Sequence, residues 1–217
     1  MTRRRASTAR PRARNLESEP EKRRAILHAA VRAFAEKGYH GCRIADVARQ
    51  AGVAYGLVYH YFRDKEELLE SVFDEQWTIF IQAIRAISSG PGTSADHLAG
   101  VVRFALDVYR TAPAAVKVLI LEVARSPHSL RAGSTRRRFE TALKLLSEQV
   151  RRGQEAGDLR RDLEPAVAAA CVLGALEMCL TAMVVGALGR PEASDEELER
   201  VKQQVVEVAL GGLLPRR

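Results

Sequence analysis

The amino-acid sequence predicts an all-α fold. Apolar residues recur at helical spacing throughout the 217 residues, and no run alternates apolar and polar positions for long enough to predict a strand. Helix start and stop signals recur as well: Ser, Thr or Asp precedes several apolar runs, with Glu often three residues later, and Gly or Pro follows them. Together these signals predict short helices near the N-terminus, followed by a second unit of longer helices.

Residues 1–18 are expected to form a basic arm without regular structure. Six arginines precede the first acidic residue, Glu17. The whole chain has 34 Lys and Arg against 27 Asp and Glu, so without those six the cations outnumber the acids by one. A positive charge concentrated at one end favours a polyanionic partner, such as nucleic acid, for that end.

Residues 19–64 are predicted to form a three-helix unit. The first helix, about 19–37, begins at a capping box formed by Ser18 and Glu21 and ends at Gly38. Its apolar stripe is predicted to face the core of this unit: Leu27, Ala30, Val31 and Phe34.

The second and third helices are predicted to form a helix-turn-helix at about 42–61. Apolar residues at i, i+3, i+4 and i+7 predict a helix over 44–51, Gly52 permits the turn, and a short helix follows over 54–62. This is the geometry that lays a recognition helix in the major groove of DNA. Helical pairs joined by a glycine turn also occur in ordinary bundles, so the pattern alone leaves both interpretations open.

Residues 65–217 are predicted to form the second helical unit. Asp64 and Glu67 form the capping box of a long helix that ends at the Gly-Pro-Gly sequence of 90–92. Proline, glycine and capping residues then divide the rest of the chain into helices at about 94–111, 113–126, 129–156, 164–189 and 195–213.

The segment 165–188 is apolar enough to require a membrane test, because its only charge is Glu177. Its Leu and Val residues contribute about −2.4 to −4.8 kcal/mol on the insertion scale, while a central carboxylate costs about +2.5 to +3.5 kcal/mol. Insertion is therefore close to neutral. We expect no membrane span, but a helix that is buried all round within the protein.

The sequence gives no support to enzymatic, metal-binding or secreted classes. The five histidines lack metal-ligand spacing, and no P-loop, nucleophile elbow or dinucleotide fingerprint occurs. Three cysteines without a CxxC pair favour a reducing compartment, and no apolar stretch of an export signal follows the N-terminal arginines. The expectation is a cytoplasmic protein that is not an enzyme and uses neither cofactor nor metal.

The third helix and its flank carry side chains that can donate hydrogen bonds to DNA phosphates or base edges: Tyr55, Tyr59, His60, Tyr61 and Lys65. The alternative is an aromatic plug in the protein core. Because consecutive residues of a helix cannot all face inward, at least one of residues 59–61 must be exposed. For Phe62 the core position is expected.

The stretch Ile26–Phe73 resembles the DNA-binding domain of the tetracycline-repressor (TetR) family of bacterial transcriptional regulators. The resemblance rests on elements that are specific in combination: AEKGY, IADVA, QAGV and YHYF-x-x-K. It implies a helix-turn-helix head on a ligand-binding domain. It also implies a repressor that an effector releases from a double-stranded operator.

The resemblance assigns DNA contacts to Arg43, Tyr55, Gly56, Leu57, Tyr59, His60, Tyr61 and Lys65. Two departures from the family pattern matter. The usual hydroxyl residues at the start of the second helix are replaced by Cys42 and Arg43, so the customary N-cap is missing and Arg43 either reaches a phosphate or is solvated. Leu57 replaces a common small polar residue, which argues against hydrogen-bonded base readout at this position and leaves an apolar contact with a thymine methyl open.

A more diffuse resemblance, carried by 121–126, 153–160 and 174–177, is to the family branch that regulates fatty-acid degradation and senses acyl-CoA. It implies an apolar tunnel, for which the residue types fit at Trp77, Phe80, Phe104, Tyr109, Leu119 and Met178. Core packing of the same side chains is the alternative interpretation.

An acyl-CoA would also need cations near the tunnel mouth for its phosphates, and the candidates are Arg103, Arg125 and Arg131. Solvated surface arginines are the alternative. Glu177 must find a partner or face water, because it is a carboxylate in an otherwise apolar helix. It either orients the ligand or forms hydrogen bonds in a dimer interface.

The resemblance further implies a homodimer, in which the helices at 164–189 and 195–213 pair with their copies. The stripe expected to contribute is Leu198, Val201, Val205 and Val208. A competing hypothesis is a basic helical protein that binds nucleic acid through its arm without reading sequence, and whose bundle serves protein interactions.

Overall fold

A computed structural model describes residues 18–123, 133–189 and 193–215. Within these ranges the chain is helical and contains no strand, which confirms the all-α prediction. The predicted basic arm lies outside the described residues except for Ser18, which begins the first helix.

The helices of the N-terminal half are α1 (Glu19–Gly41), α2 (Ile44–Ala51), α3 (Tyr55–Tyr61), α4 (Lys65–Ser88), α5 (Ser94–Thr111) and α6 (Pro113–Val118). A π-helical turn, Leu119–Val123, continues directly from α6. The remaining described helices are α7 (Gly133–Ala156), α8 (Pro165–Val184) and α9 (Asp195–Gly211).

Helices α1 and α8 end several residues away from the positions that the sequence predicts. At Gly38 the backbone adopts φ 70° and ψ 160°, so α1 breaks where predicted, but one further turn carries it to Gly41. The C-terminus of α8 lies at Val184 rather than at residue 189. The predicted helix end at 126 and helix start at 129 lie outside the described residues.

The N-terminal unit, called the head below, has a core built from α1, α2 and α3 together with the first turns of α4. Its largest fully buried side chains are Ile26, Phe34, Val47, Val58, Phe62, Leu68, Val72 and Phe73. Gly52 adopts φ 67° between α2 and α3, a left-handed conformation that a side chain would strain. Val118 of α6 also belongs to this core, so the head's packing draws on residues well beyond 64.

The distal unit has a separate core, to which the second half of α4 and helices α5, α7, α8 and α9 contribute. The expectation that the 165–188 helix is buried all round is wrong for the single chain. Among the described residues α8 is the one helix that is long and apolar enough to cross a membrane, and 33% of its apolar stretch is buried. Val167, Cys171 and Met178 are exposed along one side of this helix.

Two elements join the head to the distal unit. Trp77 on α4 packs against both cores. In α6 and the turn that follows, Leu119 packs against the head core while Ile120 packs against the distal core. A displacement of α4 or of the π-helical turn would therefore reach both units.

Candidate DNA-binding and effector sites

Helix α3 presents a polar aromatic surface to solvent. Tyr55 and Tyr59 are 53% and 44% exposed, and Gly56 and His60 are exposed beside them. Val58 is fully buried, which fixes the inward face of the helix. The prediction that at least one of residues 59–61 faces outward is confirmed.

The two exposed tyrosines form a pair one helical turn apart. The Tyr55 hydroxyl donates to the Tyr59 hydroxyl at 3.2 Å, and the ring centroids are 5.2 Å apart. The neighbouring Tyr55 raises the pKa of the Tyr59 hydroxyl above its ordinary value. Because the Tyr59 hydroxyl accepts from Tyr55, its own proton can be donated to a phosphate oxygen.

The other predicted contacts of the head are less uniformly exposed. Arg43 is exposed at the start of α2, whereas Leu57 and Tyr61 are half-buried. The His60 Nε2 atom lies 3.8 Å from a Glu19 carboxylate oxygen on α1. A phosphate that approaches His60 therefore meets an acidic neighbour as well.

Lys65 makes two hydrogen bonds within the head. Its Nζ atom donates to the backbone carbonyls of Tyr39 and Cys42, at 2.8 and 3.0 Å, and lies 4.4 Å from the centroid of the Tyr39 ring. These carbonyls belong to the last turn of α1 and its C-terminal flank. Carbonyl groups at the end of a helix have no N–H partner within the helix, so they need a donor from elsewhere. Lys65 thus ties the end of α1 to the start of α4.

Asp46 makes the second half of a capping box at the start of α2, in which the N3 side chain accepts from the N-cap backbone N–H. Its carboxylate accepts from the Arg43 backbone N–H at 3.0 Å, from Lys37 of α1 at 2.7 Å, and from Arg49 at 2.6 Å. The Lys37 ammonium and the Arg43 N–H lower the pKa of Asp46 to about 2. The departure at residues 42 and 43 therefore leaves α2 anchored to α1.

Cys42 lies in the head core and is 1% exposed. Burial raises the pKa of its thiol above the ordinary value, so the side chain acts as a packing residue.

The residues predicted to line an apolar tunnel are dispersed in the structure. Trp77 and Phe80 form an edge-on aromatic pair on α4, with ring centroids 5.9 Å apart. Tyr109 is buried, donates to the Met183 carbonyl at 2.9 Å, and borders a separate cleft of about 700 Å³ between α1, α6 and the end of α8. Phe104 and Leu119 are half-buried.

Glu177 and Met178 are both exposed on α8. Met178 is 67% exposed, as is expected for an interface residue rather than a tunnel residue. Arg103 is exposed on α5, and Arg125 and Arg131 lie outside the described residues. Among the described residues, no cluster of His, Cys, Asp or Glu could hold a metal ion.

Sequence reasoning missed a groove of about 440 Å³ between α4 and α7. Arginines line it from both helices: Arg85, Arg137 and Arg138. The run of three arginines at 136–138 was a visible signal. Only the packing of α7 on α4 shows that two of them meet Arg85.

Comparison with known proteins places these features in a family. Residues 26–72 match the family described as bacterial regulatory proteins of the tetR family, and residues 95–208 match the tetracyclin repressor-like C-terminal domain. The fatty acid metabolism regulator protein of Bacillus subtilis is 29% identical over 160 residues, which cover 74% of this chain and 82% of that protein.

Two solved structures share the fold over nearly the whole chain. The fatty acid degradation regulator FadR of Bacillus halodurans has a TM-score of 0.80 at 28% identity, with 92% of this chain and all of that chain covered. FadR of Bacillus subtilis, solved in complex with stearoyl-CoA, has a TM-score of 0.77 at 26% identity, with 87% and 98% covered. This chain belongs to the TetR family of ligand-responsive, DNA-binding transcriptional regulators.

Proposed function

We propose that this protein is a cytoplasmic, homodimeric repressor that a long-chain acyl-CoA releases from a palindromic operator. The observation that carries the effector is the likeness of the whole fold to FadR of Bacillus subtilis, which was solved with stearoyl-CoA. The head supports DNA binding through the exposed Tyr55, Gly56, Tyr59 and His60 of α3, with Arg43 and Lys65 beside them.

The exposed face of α8 supports the homodimer. Val167, Cys171, Gly174 and Met178 are exposed at spacings of three or four residues, so they lie on one side of the helix. Burying this face against a second copy would remove a long apolar stripe from water. Two recognition helices related by a two-fold axis would then read the two halves of a palindrome.

Helix α4 offers a mechanical route from effector to operator. It begins at Lys65 in the head, and Ile81 and Ile84 lie in the distal core. A ligand that displaces the distal half of α4 tilts the head and changes the separation of the recognition helices. A hundredfold loss of operator affinity requires the ligand to discriminate between the two arrangements by about 2.7 kcal/mol.

The test is operator release measured by fluorescence anisotropy. Stearoyl-CoA is titrated into the protein–operator complex beside stearate alone and CoA alone. We expect release at micromolar stearoyl-CoA and far weaker release by either fragment. An aromatic or cationic compound that releases the operator while stearoyl-CoA has no effect would overturn the proposed effector and leave the regulator assignment intact.

A further inference from the structure

The groove between α4 and α7 is a continuous surface that two helices build together. Asp74, Thr78, Ile81, Gln82 and Arg85 recur along one face of α4 and form one wall. Arg137, Arg138 and Thr141 of α7 form the other. Its volume of about 440 Å³ falls within the range typical of small-molecule sites.

The cations of this groove are poorly neutralised by the protein. Arg85 has no acidic residue three or four positions away on α4, and among the described residues neither Arg85 nor Arg137 forms an ion pair. The acid nearest to Arg137 along α7, Glu140, pairs instead with Arg136 at 2.8 Å. Three guanidinium groups therefore face one carboxylate, that of Asp74.

That single carboxylate is only loosely held. The Asp74 Oδ1 atom lies 3.6 Å from the Arg138 Nε atom, beyond hydrogen-bond distance, and is buried without a hydrogen-bond partner. Arg138 therefore keeps donors for an incoming anion. Guanidinium groups bind phosphate oxygens in bidentate pairs, so this cluster suits a phosphorylated ligand.

An aromatic cluster adjoins the groove. Trp77 lies one helical turn from both Asp74 and Ile81 on α4, and its ring meets Phe139, the neighbour of Arg138, at a centroid distance of 6.2 Å. The Trp77 Nε1 donor is buried and has no acceptor in the described structure. A carbonyl group from a ligand would satisfy this donor.

We propose that the α4–α7 groove binds the phosphate groups of the CoA moiety, with the acyl end directed toward the Trp77 cluster. This assignment rests on the proposed acyl-CoA effector and places its headgroup on Arg85, Arg137 and Arg138. Arg103, a candidate from the sequence, is exposed on α5 and does not line the groove.

The experiment uses Trp77 as a reporter, because it is the single tryptophan of the chain. Its fluorescence is followed during titration of the full-length protein with stearoyl-CoA, CoA and stearate. The test variant is Arg85→Gln combined with Arg137→Gln, and the matched control is Arg103→Gln. All three positions are exposed, so circular dichroism and melting temperature should match the parent protein.

We expect the double variant to bind stearoyl-CoA at least tenfold more weakly, while its affinity for stearate and the affinities of Arg103→Gln are unchanged. Replacing Arg137 by Lys instead of Gln in this double variant should recover part of the lost affinity.

Parental affinity for stearoyl-CoA in the double variant would overturn the groove assignment without affecting the proposed effector. An equal loss of stearate affinity would also overturn it. If stearoyl-CoA neither changes the fluorescence nor releases the operator from the parent protein, the effector and the groove assignment both fail.

Discussion

The candidate DNA contacts of the head differ in how far they are also engaged within the protein, and sequence alone does not show this difference. Tyr59 and Lys65 both carry donors that suit phosphate. In the structure, however, Tyr59 is exposed beside Tyr55, while two hydrogen bonds bind Lys65 to the end of α1. The two residues should therefore respond differently to truncation.

Replacing Tyr59 by Ala should weaken operator binding by about 1 to 3 kcal/mol, as expected for the loss of a phosphate or base contact. The melting temperature should barely change, because the side chain is 44% exposed. Fluorescence anisotropy with labelled operator gives the affinity. Ile79→Ala is the matched control, since Ile79 is 45% exposed on α4, outside the head. Unchanged operator affinity for Tyr59→Ala would remove Tyr59 from the DNA-binding set.

Replacing Lys65 by Ala should affect both folding and DNA binding. The loss of its hydrogen bonds to the Tyr39 and Cys42 carbonyls should lower the free energy of unfolding by about 1 to 3 kcal/mol. One ammonium proton is left over for a phosphate, so the slope of log K against log salt should also fall by about one. Thermal unfolding and a salt series measure the two effects separately. An unchanged melting temperature would contradict the role of Lys65 in holding α1 to α4. An unchanged salt slope would contradict its contact with a phosphate.

At the scale of elements, α2 is held by a carboxylate rather than by the hydroxyl cap usual in the family. Asp46 ties the first turn of α2 to Lys37 of α1, and its pKa is lowered from 3.8 to about 2. A carboxyl group whose pKa is lower in the folded state stabilises the fold at pH values above its unfolded pKa. That stabilisation disappears as the pH falls through the folded value.

Asp46→Asn should therefore lower the melting temperature at pH 6 to 7, and the difference from the parent protein should shrink as the pH falls from about 4 to about 2. Calorimetry over a pH series measures this difference. Glu140→Gln, which removes an exposed pair with Arg136, serves as the control and should have little effect at any pH. A difference that stays constant over the whole pH series would show that the Asp46 charge does not stabilise the head.

Helix α8 shows where a pattern predicts an element but not its surroundings. Its near-uniform apolarity predicted the helix, with an observed start at Pro165. The same apolarity led to the wrong expectation of burial on every side, because composition does not distinguish a face covered by the same chain from one left for a second copy. Gly174 marks the open side, since a Cβ atom added there would meet nothing within 4 Å.

At the scale of the whole molecule, the all-α fold and the helix-turn-helix were predictable because capping residues, glycines and apolar spacing are local signals. The arrangement of the candidate effector-binding residues was not predictable, because these residues come together only through packing. Trp77 and Phe80 meet on one helix, but Tyr109 borders a different cleft and the cationic groove needs both α4 and α7. Of the stripe predicted to contribute to a dimer interface, Val208 is 79% exposed, whereas Leu198 and Val205 are buried in the chain's own core.

Because Val205 is buried and Val208 is exposed, only Val208 of these two is a suitable position for a test of dimerisation. Val205→Arg would place a charge in the core and unfold the distal unit, so it cannot report on assembly. Met178→Arg and Val208→Arg place the charge on exposed positions of α8 and α9 instead.

We expect the parent protein to sediment as a dimer and the Met178→Arg and Val208→Arg variants as folded monomers, because a buried arginine without a partner opposes association of the two copies. The monomers should lose operator binding, since a palindromic site needs two recognition helices about 34 to 36 Å apart or a near multiple. Sedimentation velocity and anisotropy on the same samples measure both effects.

The control is Ile79→Arg, which changes an exposed apolar position on α4. This variant should remain dimeric and bind the operator. A parent protein that is monomeric at micromolar concentration, or variants that remain dimeric, would show that the apolar face of α8 has another role.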